Sequence, residues 1–125
     1  MRVLIVDDDK HVRRLVRTLL EGENIECHEA EDGIAGLTAA RELHPDIMLL
    51  DVMLPGLDGY KVCRMLKFDE NFADITIIMV TSRSRSKDKE IGLETGADLY
   101  IAKPFKNEEL LEAVRRFAGS RQETE

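Results

Sequence analysis

The sequence predicts an α/β protein, a doubly wound parallel sheet of five strands covered by five helices. Two observations carry that expectation. Strand-type and helix-type patterns alternate without interruption along the 125 residues, giving five β-α units. The runs Ile47–Leu50 and Ile75–Val80 are apolar on both faces, as strands buried between two helical layers should be. The length suits one domain with a real core, and there is no internal repeat or low-complexity segment.

The strands read as 2–6, 25–29, 46–50, 75–80 and 98–102, each short, apolar and bounded by turn or charge signals. In the first helix Val12, Leu15, Val16 and Leu19 share one face and Arg13, Arg14 and Arg17 the other, with Asp9 as cap and Gly22 placed to end it. The second runs from about Gly33 to Leu43 and stops ahead of Pro45, since a residue before proline disfavours helix. The third, Gly59 to Lys67, buries Val62, Cys63 and Leu66. The fourth, Lys87 to Thr95, has Ser86 as N-cap and Gly96 just past its end. The fifth starts behind Asn107 and buries Leu110, Leu111, Val114 and Phe117. The polar end from Gly119 to Glu125 reads as frayed or as a linker stub.

Composition removes several function classes. A hydrophobic fraction of 43% with 34% charged residues describes a soluble globular chain. No apolar run approaches the ~20 residues that cross a bilayer. Met1 leads straight into the first strand pattern, so no secretory signal and a cytoplasmic location are expected. Cys27 and Cys63 have no C-x-x-C spacing and read as two buried free thiols. The net charge of −7 argues against nucleic acid as a direct partner, because phosphate neutralisation needs clustered Lys and Arg. The one basic run, Arg83-Ser84-Arg85-Ser86-Lys87, reads as a solvated loop entering a helix.

The chemistry belongs at the carboxyl ends of the strands, where open α/β sheets bind ligands. Asp7, Asp8 and Asp9 follow the first strand, Asp51 the third, Thr81 and Ser82 the fourth, and Lys103 and Pro104 the fifth. Asp51 stands between a buried strand and a Pro55-Gly56 turn, which holds its oxygens outward on a rigid support. Carboxylates ending two strands repel unless a cation lies between them, and hard oxygen donors suit Mg²⁺ or Mn²⁺. A carboxylate can also act as a nucleophile and form an acyl phosphate. The added charge would be offset by the metal and Lys103, Thr81 could donate to a phosphoryl oxygen, and the small Ser82 leaves room for a donor. Any one of these residues alone is more simply a turn former, cap or solvated loop residue. Their occurrence at the ends of different strands of one sheet is what lifts them above that reading.

These residues resemble those of a response-regulator receiver domain, the module shared with the bacterial chemotaxis response regulator. The matching motifs are Val6-Asp7-Asp8, Leu50-Asp51, Met53-Leu54-Pro55-Gly56-Leu57-Asp58-Gly59, Thr81-Ser82, Gly96-Ala97-Asp98 and Lys103-Pro104-Phe105. The likeness covers the chain from Val3 to about Ala118, so residues 1–119 would be the receiver and 120–125 a tail. It implies a flavodoxin-like sheet of order 2-1-3-4-5. It implies that Asp51 accepts a phosphoryl group from a sensor histidine kinase or phosphotransfer protein. Asp8, Asp51 and the Met53 carbonyl would hold Mg²⁺, with Asp7 acting through water. Lys103 would pair with the phosphoryl oxygens, and its bond to Pro104 would be cis. Thr81 and an inward-turning Tyr100 would remodel the helix four, strand five and helix five surface for a downstream protein or attached effector domain. Such a chain is a switch that catalyses its own phosphorylation and dephosphorylation, not a conventional enzyme. A phosphatase or phosphotransferase with an aspartate nucleophile is the competing class, but this chain has no room for the cap domain such enzymes carry. A degenerate receiver serving only as an interaction module is opposed by the complete acidic group, Thr81 and Lys103.

Some positions depart from the commonest patterns. Met53 and Arg83 flank the site where residues tune dephosphorylation; their bulk is expected to slow attack by water. Receivers joined to winged-helix DNA-binding domains carry an acid before the switch aromatic and a basic partner on helix five; here those positions are Leu99 and Ala113. One cross-subunit ion pair of a phosphorylation-dependent dimer is thus missing, although Lys89 and Glu109 remain for another. An exposed Leu99 would make an apolar spot on the output face. The stretch Tyr60-Lys61-Val62-Cys63-Arg64 is similar to receivers found alone or attached to cyclic-dinucleotide synthases.

Overall fold

Five parallel strands form one sheet in the order β2-β1-β3-β4-β5. The structure is a computed structural model that describes the backbone of residues 1–123 and the side chains of residues 1–118. The elements are β1 (Arg2–Val6), α1 (Lys10–Glu21), β2 (Glu26–Ala30), α2 (Gly33–Leu43), β3 (Ile47–Leu50), α3 (Gly59–Lys67), β4 (Thr76–Thr81), α4 (Ser86–Glu94), β5 (Leu99–Ala102) and α5 (Asn107–Glu123). This is the doubly wound architecture that the alternating pattern requires. Helix α5 continues to Glu123, past residue 119, where the receiver was expected to end; residues 124–125 of the expected tail lie outside the described residues.

Side chains alternate along each strand, and the alternation divides the core in two. Leu4, Val6, Met48, Leu50, Ile77 and Met79 point toward α2 and α3, where Leu37, Ala40, Val62, Cys63 and Leu66 meet them. Val3, Ile5, Ile47, Leu49, Ile78, Val80 and Ile101 point toward α1 and α5, against Val16, Leu20, Leu110, Ala113 and Val114. The thiols of Cys27 and Cys63 are free and buried, as expected. Burial pushes the Cys27 thiol up to about 11, so it stays protonated at neutral pH.

Local chemistry explains most element ends. Asp9, Asp32 and Asp58 cap α1, α2 and α3 by accepting backbone N–H groups at their N-termini. Asp98 accepts the Ile77 N–H at 2.8 Å and pairs with Lys67 at 2.8 Å, which ties the start of β5 to β4 and α3. Gly96 takes the left-handed conformation (φ +100) after α4 that its place in the sequence predicts.

Two local expectations change. Leu15 is 46% exposed, and the buried stripe of α1 runs through Val16 and Leu20 instead. Val12, Val16 and Leu20 are spaced by four, and Leu15 falls at the flank of that row. Gly22 ends α1 as expected, as a C-cap in the right-handed conformation, and Asn24 carries the positive φ that turns the chain into β2. The N-cap of α4 is Arg85, with Ser86 the first helical residue. There the cap is supplied from inside the helix, by an Asp88 carboxylate that accepts the Arg85 N–H at 3.3 Å.

Candidate functional site at the carboxyl edge of the sheet

Register brings the acidic residues together. Val6 pairs with Leu50, so the residues that follow them, Asp7 and Asp51, emerge side by side. The ladder continues one step past the strands. The Asp51 N–H donates to the Val6 carbonyl (3.0 Å), the Asp7 N–H to Ala30 (3.2 Å) and the Lys103 N–H to Thr81 (2.9 Å). The functional side chains thus rise from backbone that belongs to the rigid sheet.

Asp7 and Asp51 are buried and Asp8 is exposed; one carboxylate oxygen from each lies within 4.8 Å of the other two. Lys103 reaches over from β5 and donates to Asp7 Oδ2 at 2.6 Å and Asp51 Oδ2 at 3.1 Å. Asp7 Oδ1 accepts the Asp9 N–H (2.9 Å), and Asp51 Oδ1 accepts the Met53 N–H (3.1 Å). The Lys103–Pro104 peptide is cis. Burial pushes the Asp7 carboxyl above the usual aspartate range, against the opposing pull of the Lys103 hydrogen bond. Burial also works against the Lys103 charge, but its bond to Asp7 and the charge of Asp51 outweigh this and hold its pKa above an ordinary lysine.

One ammonium against three carboxylates leaves the cup anionic. Three close-set, all-oxygen donors, one of them open to solvent, fit a small hard divalent cation that keeps part of its water. Asp7, Asp8 and Asp51 are the carboxylates available to it. An ion there would supply charge neutralisation that Lys103 alone does not.

The remaining residues line the rim. Thr81 is fully buried at the end of β4, and its Oγ1 accepts the Arg83 N–H at 3.3 Å. The Ser82 hydroxyl meets the Met53 thioether at 3.5 Å, so two loops touch across the mouth of the cup. Tyr100 already lies inward: its ring packs on the α2–α3 side of the core, and its hydroxyl donates to the Arg83 carbonyl at 2.6 Å. Leu99 is half-buried against the α5-side core, in the same cluster as Ala113. Of the two apolar residues at the positions of the missing ion pair, Ala113 is buried and Leu99 is partly covered rather than a fully exposed spot. The sequence reading did not anticipate Tyr60, whose hydroxyl lies 3.4 Å from that of Tyr100. No local signal marks it, because its partners are distant in the chain.

The chain matches the family described as the response regulator receiver domain over residues 3–115. It is 46% identical over 114 residues to the DNA-binding response regulator MtrA of Mycobacterium tuberculosis strain H37Rv, covering 91% of this chain and 49% of MtrA. It is 37% identical over 120 residues to Protein PilG of Pseudomonas aeruginosa, covering 96% of this chain and 89% of PilG. Among solved structures it resembles a putative response regulator from Chloroflexus aurantiacus, with a TM-score of 0.88 and 34% identity over 93% of this chain and 95% of that one. The chain belongs to the response regulator receiver family of two-component signalling. It spans about half the length of MtrA. Among the described residues, no helix is long and apolar enough to cross a membrane.

Proposed function

We infer that this chain is a phosphorylation-controlled switch with Asp51 as phosphoacceptor. The supporting observation is the meeting of Asp7, Asp51 and Lys103, from three strands, at one edge of the sheet. The donor is a phosphohistidine on a sensor histidine kinase or phosphotransfer protein. An Asp51 oxygen attacks the phosphorus, the N–P bond breaks, and the imidazole leaves as a neutral ring after taking up a proton. Lys103 pairs with the phosphoryl oxygens, Thr81 donates its hydroxyl proton to one of them, and Ser82 leaves the approach open. Mg²⁺, held by Asp8, Asp51 and the Met53 carbonyl and through water by Asp7, would neutralise the charge that gathers there.

The output is a shift between two states of the α4–β5–α5 surface, read by a partner protein or an attached effector domain. MtrA is a DNA-binding regulator. With a net charge of −7, this chain would reach nucleic acid only through such an added domain. A dimer through α4–β5–α5 would draw on Lys89 and Glu109, since Leu99 and Ala113 are apolar and supply no ion pair. The location that fits a kinase-coupled receiver is cytoplasmic.

Incubation with acetyl phosphate and Mg²⁺, followed by intact-mass measurement, tests this. The native chain should gain one phosphoryl group and Asp51→Asn none. A native chain that stays unmodified, or a gain that persists in Asp51→Asn, would overturn the assignment.

A further inference from the structure

Four residues far apart in sequence meet beside the cup: Tyr60 on α3, Arg83 and Asp88 around the start of α4, and Tyr100 on β5. The Tyr100 hydroxyl donates to the Arg83 carbonyl at 2.6 Å, and the Tyr60 hydroxyl to the Asp88 carbonyl at 3.1 Å. Each phenol has one proton, and both are committed to carbonyls. The 3.4 Å approach of the two oxygens is therefore a contact between them, not a third strong bond. Both accepting carbonyls belong to the segment that leads from Thr81 into α4, so two tyrosines clip one segment from two sides. At its other end, Arg83 donates its N–H to Thr81.

Besides these bonds, an Arg83–Asp88 ion pair at 3.9 Å links the ends of the segment, and the segment's burial is slight. Gly92 is the one buried residue of α4, and the Asp88 carboxylate is already engaged in capping Arg85. Gly92 is also what lets Tyr100 in, since a Cβ there would stand 2.7 Å from the ring. The inward place is thus defined by a glycine floor, the Arg83 carbonyl and, across it, the Tyr60 hydroxyl.

We propose that Tyr60 is a positioning residue for the switch: by holding the Asp88 carbonyl it fixes the first turn of α4 in the arrangement that receives Tyr100. This makes α3, which starts from the loop after Asp51, a second route from the acidic cup to the α4–β5 surface. The inference rests on the receiver-switch reading for its consequence, but the clasp itself is tested without any phosphodonor.

The chain contains two tyrosines and no tryptophan, so ring-labelled tyrosine gives two assignable signals. Tyr60→Phe keeps the ring and removes only the hydroxyl. Without phosphodonor, it should move the Tyr100 ring resonances toward solvent-exposed values. It should also speed amide exchange in the first turn of α4 about fivefold, the size of one lost net hydrogen bond. With beryllium fluoride and Mg²⁺, Tyr100 should remain mixed between inward and outward positions, while the acetyl-phosphate mass gain persists. Tyr60→Leu, compared with Tyr60→Phe, separates packing from hydrogen bonding. If Tyr60→Phe leaves Tyr100 and the α4 amides unchanged and only Tyr60→Leu disturbs them, the clasp is packing and the proposal is wrong. If the native chain accepts no phosphoryl group but Tyr60→Phe still frees Tyr100, the switch reading fails and the clasp stands.

Discussion

Asp7 shows how the cup trades stability for chemistry. Its pKa is raised above the ordinary 3.8, chiefly by burial. A carboxyl whose folded pKa is raised contributes stability that is full below pH 3.8 and is lost as pH rises through the folded value. Asp7→Asn removes that loss. In EDTA the variant should melt higher than the native chain at neutral pH, with the gap closing as pH falls through the raised folded value toward 3.8; thermal melts across that range check the sign. Met53 acts at the mouth of the same cup. It is 52% exposed and touches Ser82 across the entrance. If Asp51 is the phosphoacceptor as proposed, a side chain in that place would obstruct water approaching its acyl phosphate in line. Met53→Asn should therefore shorten the life of the phosphorylated form several-fold, measured as the rate at which the added mass disappears; an unchanged rate would remove Met53 from this role.

Among the helices, α4 is the least anchored. The other four bury apolar side chains in the core, whereas α4 buries Gly92 alone within its span. Few buried contacts mean a low cost for local rearrangement. Gly92→Ala isolates the packing question. Alanine gains about 1 kcal/mol of helix propensity over glycine. The new methyl meets ring atoms of Tyr100, which can rotate away instead of breaking the fold. The expected result is a melting temperature close to native with Tyr100 displaced outward in its ring spectrum. A large loss of stability, or an unmoved ring, would mean that the helix–tyrosine packing is not as described. Element boundaries were legible wherever the chain carries its own punctuation. Helices α2 and α3 occupy their expected spans because Asp32, Asp58 and Pro45 mark ends by short-range chemistry. Leu15 and Ser86 depart from expectation because helical periodicity does not fix which edge of a stripe faces the sheet, and because α4 starts one residue earlier, with Asp88 accepting the Arg85 N–H.

For the molecule as a whole, a divalent cation in the acidic cup would be the main lever. Anything that binds only the folded state stabilises it by mass action, by about 2.7 kcal/mol at a hundredfold excess over Kd. For a domain of this size that is a rise in Tm of roughly 10 °C. Mg²⁺ should produce such a rise at constant ionic strength. Asp8→Asn should suppress it, because the exposed carboxylate of the group is the one open to an entering ion. A similar rise with added NaCl alone would point instead to relief of the general negative charge.

The order of strands and helices, the two-sided core and the set of residues at the carboxyl edge follow from periodicity, turn residues and short motifs. Those signals act over a few neighbours, and a linear chain displays them in full. The tertiary structure alone decided that Tyr100 rests inward on Gly92, that Leu99 is half-covered against the α5-side core, and that Tyr60 reaches the Asp88 carbonyl. A hydroxyl has one proton and many candidate acceptors. Which acceptor it finds depends on how helices settle on the sheet, and that is set by the packing of the whole molecule.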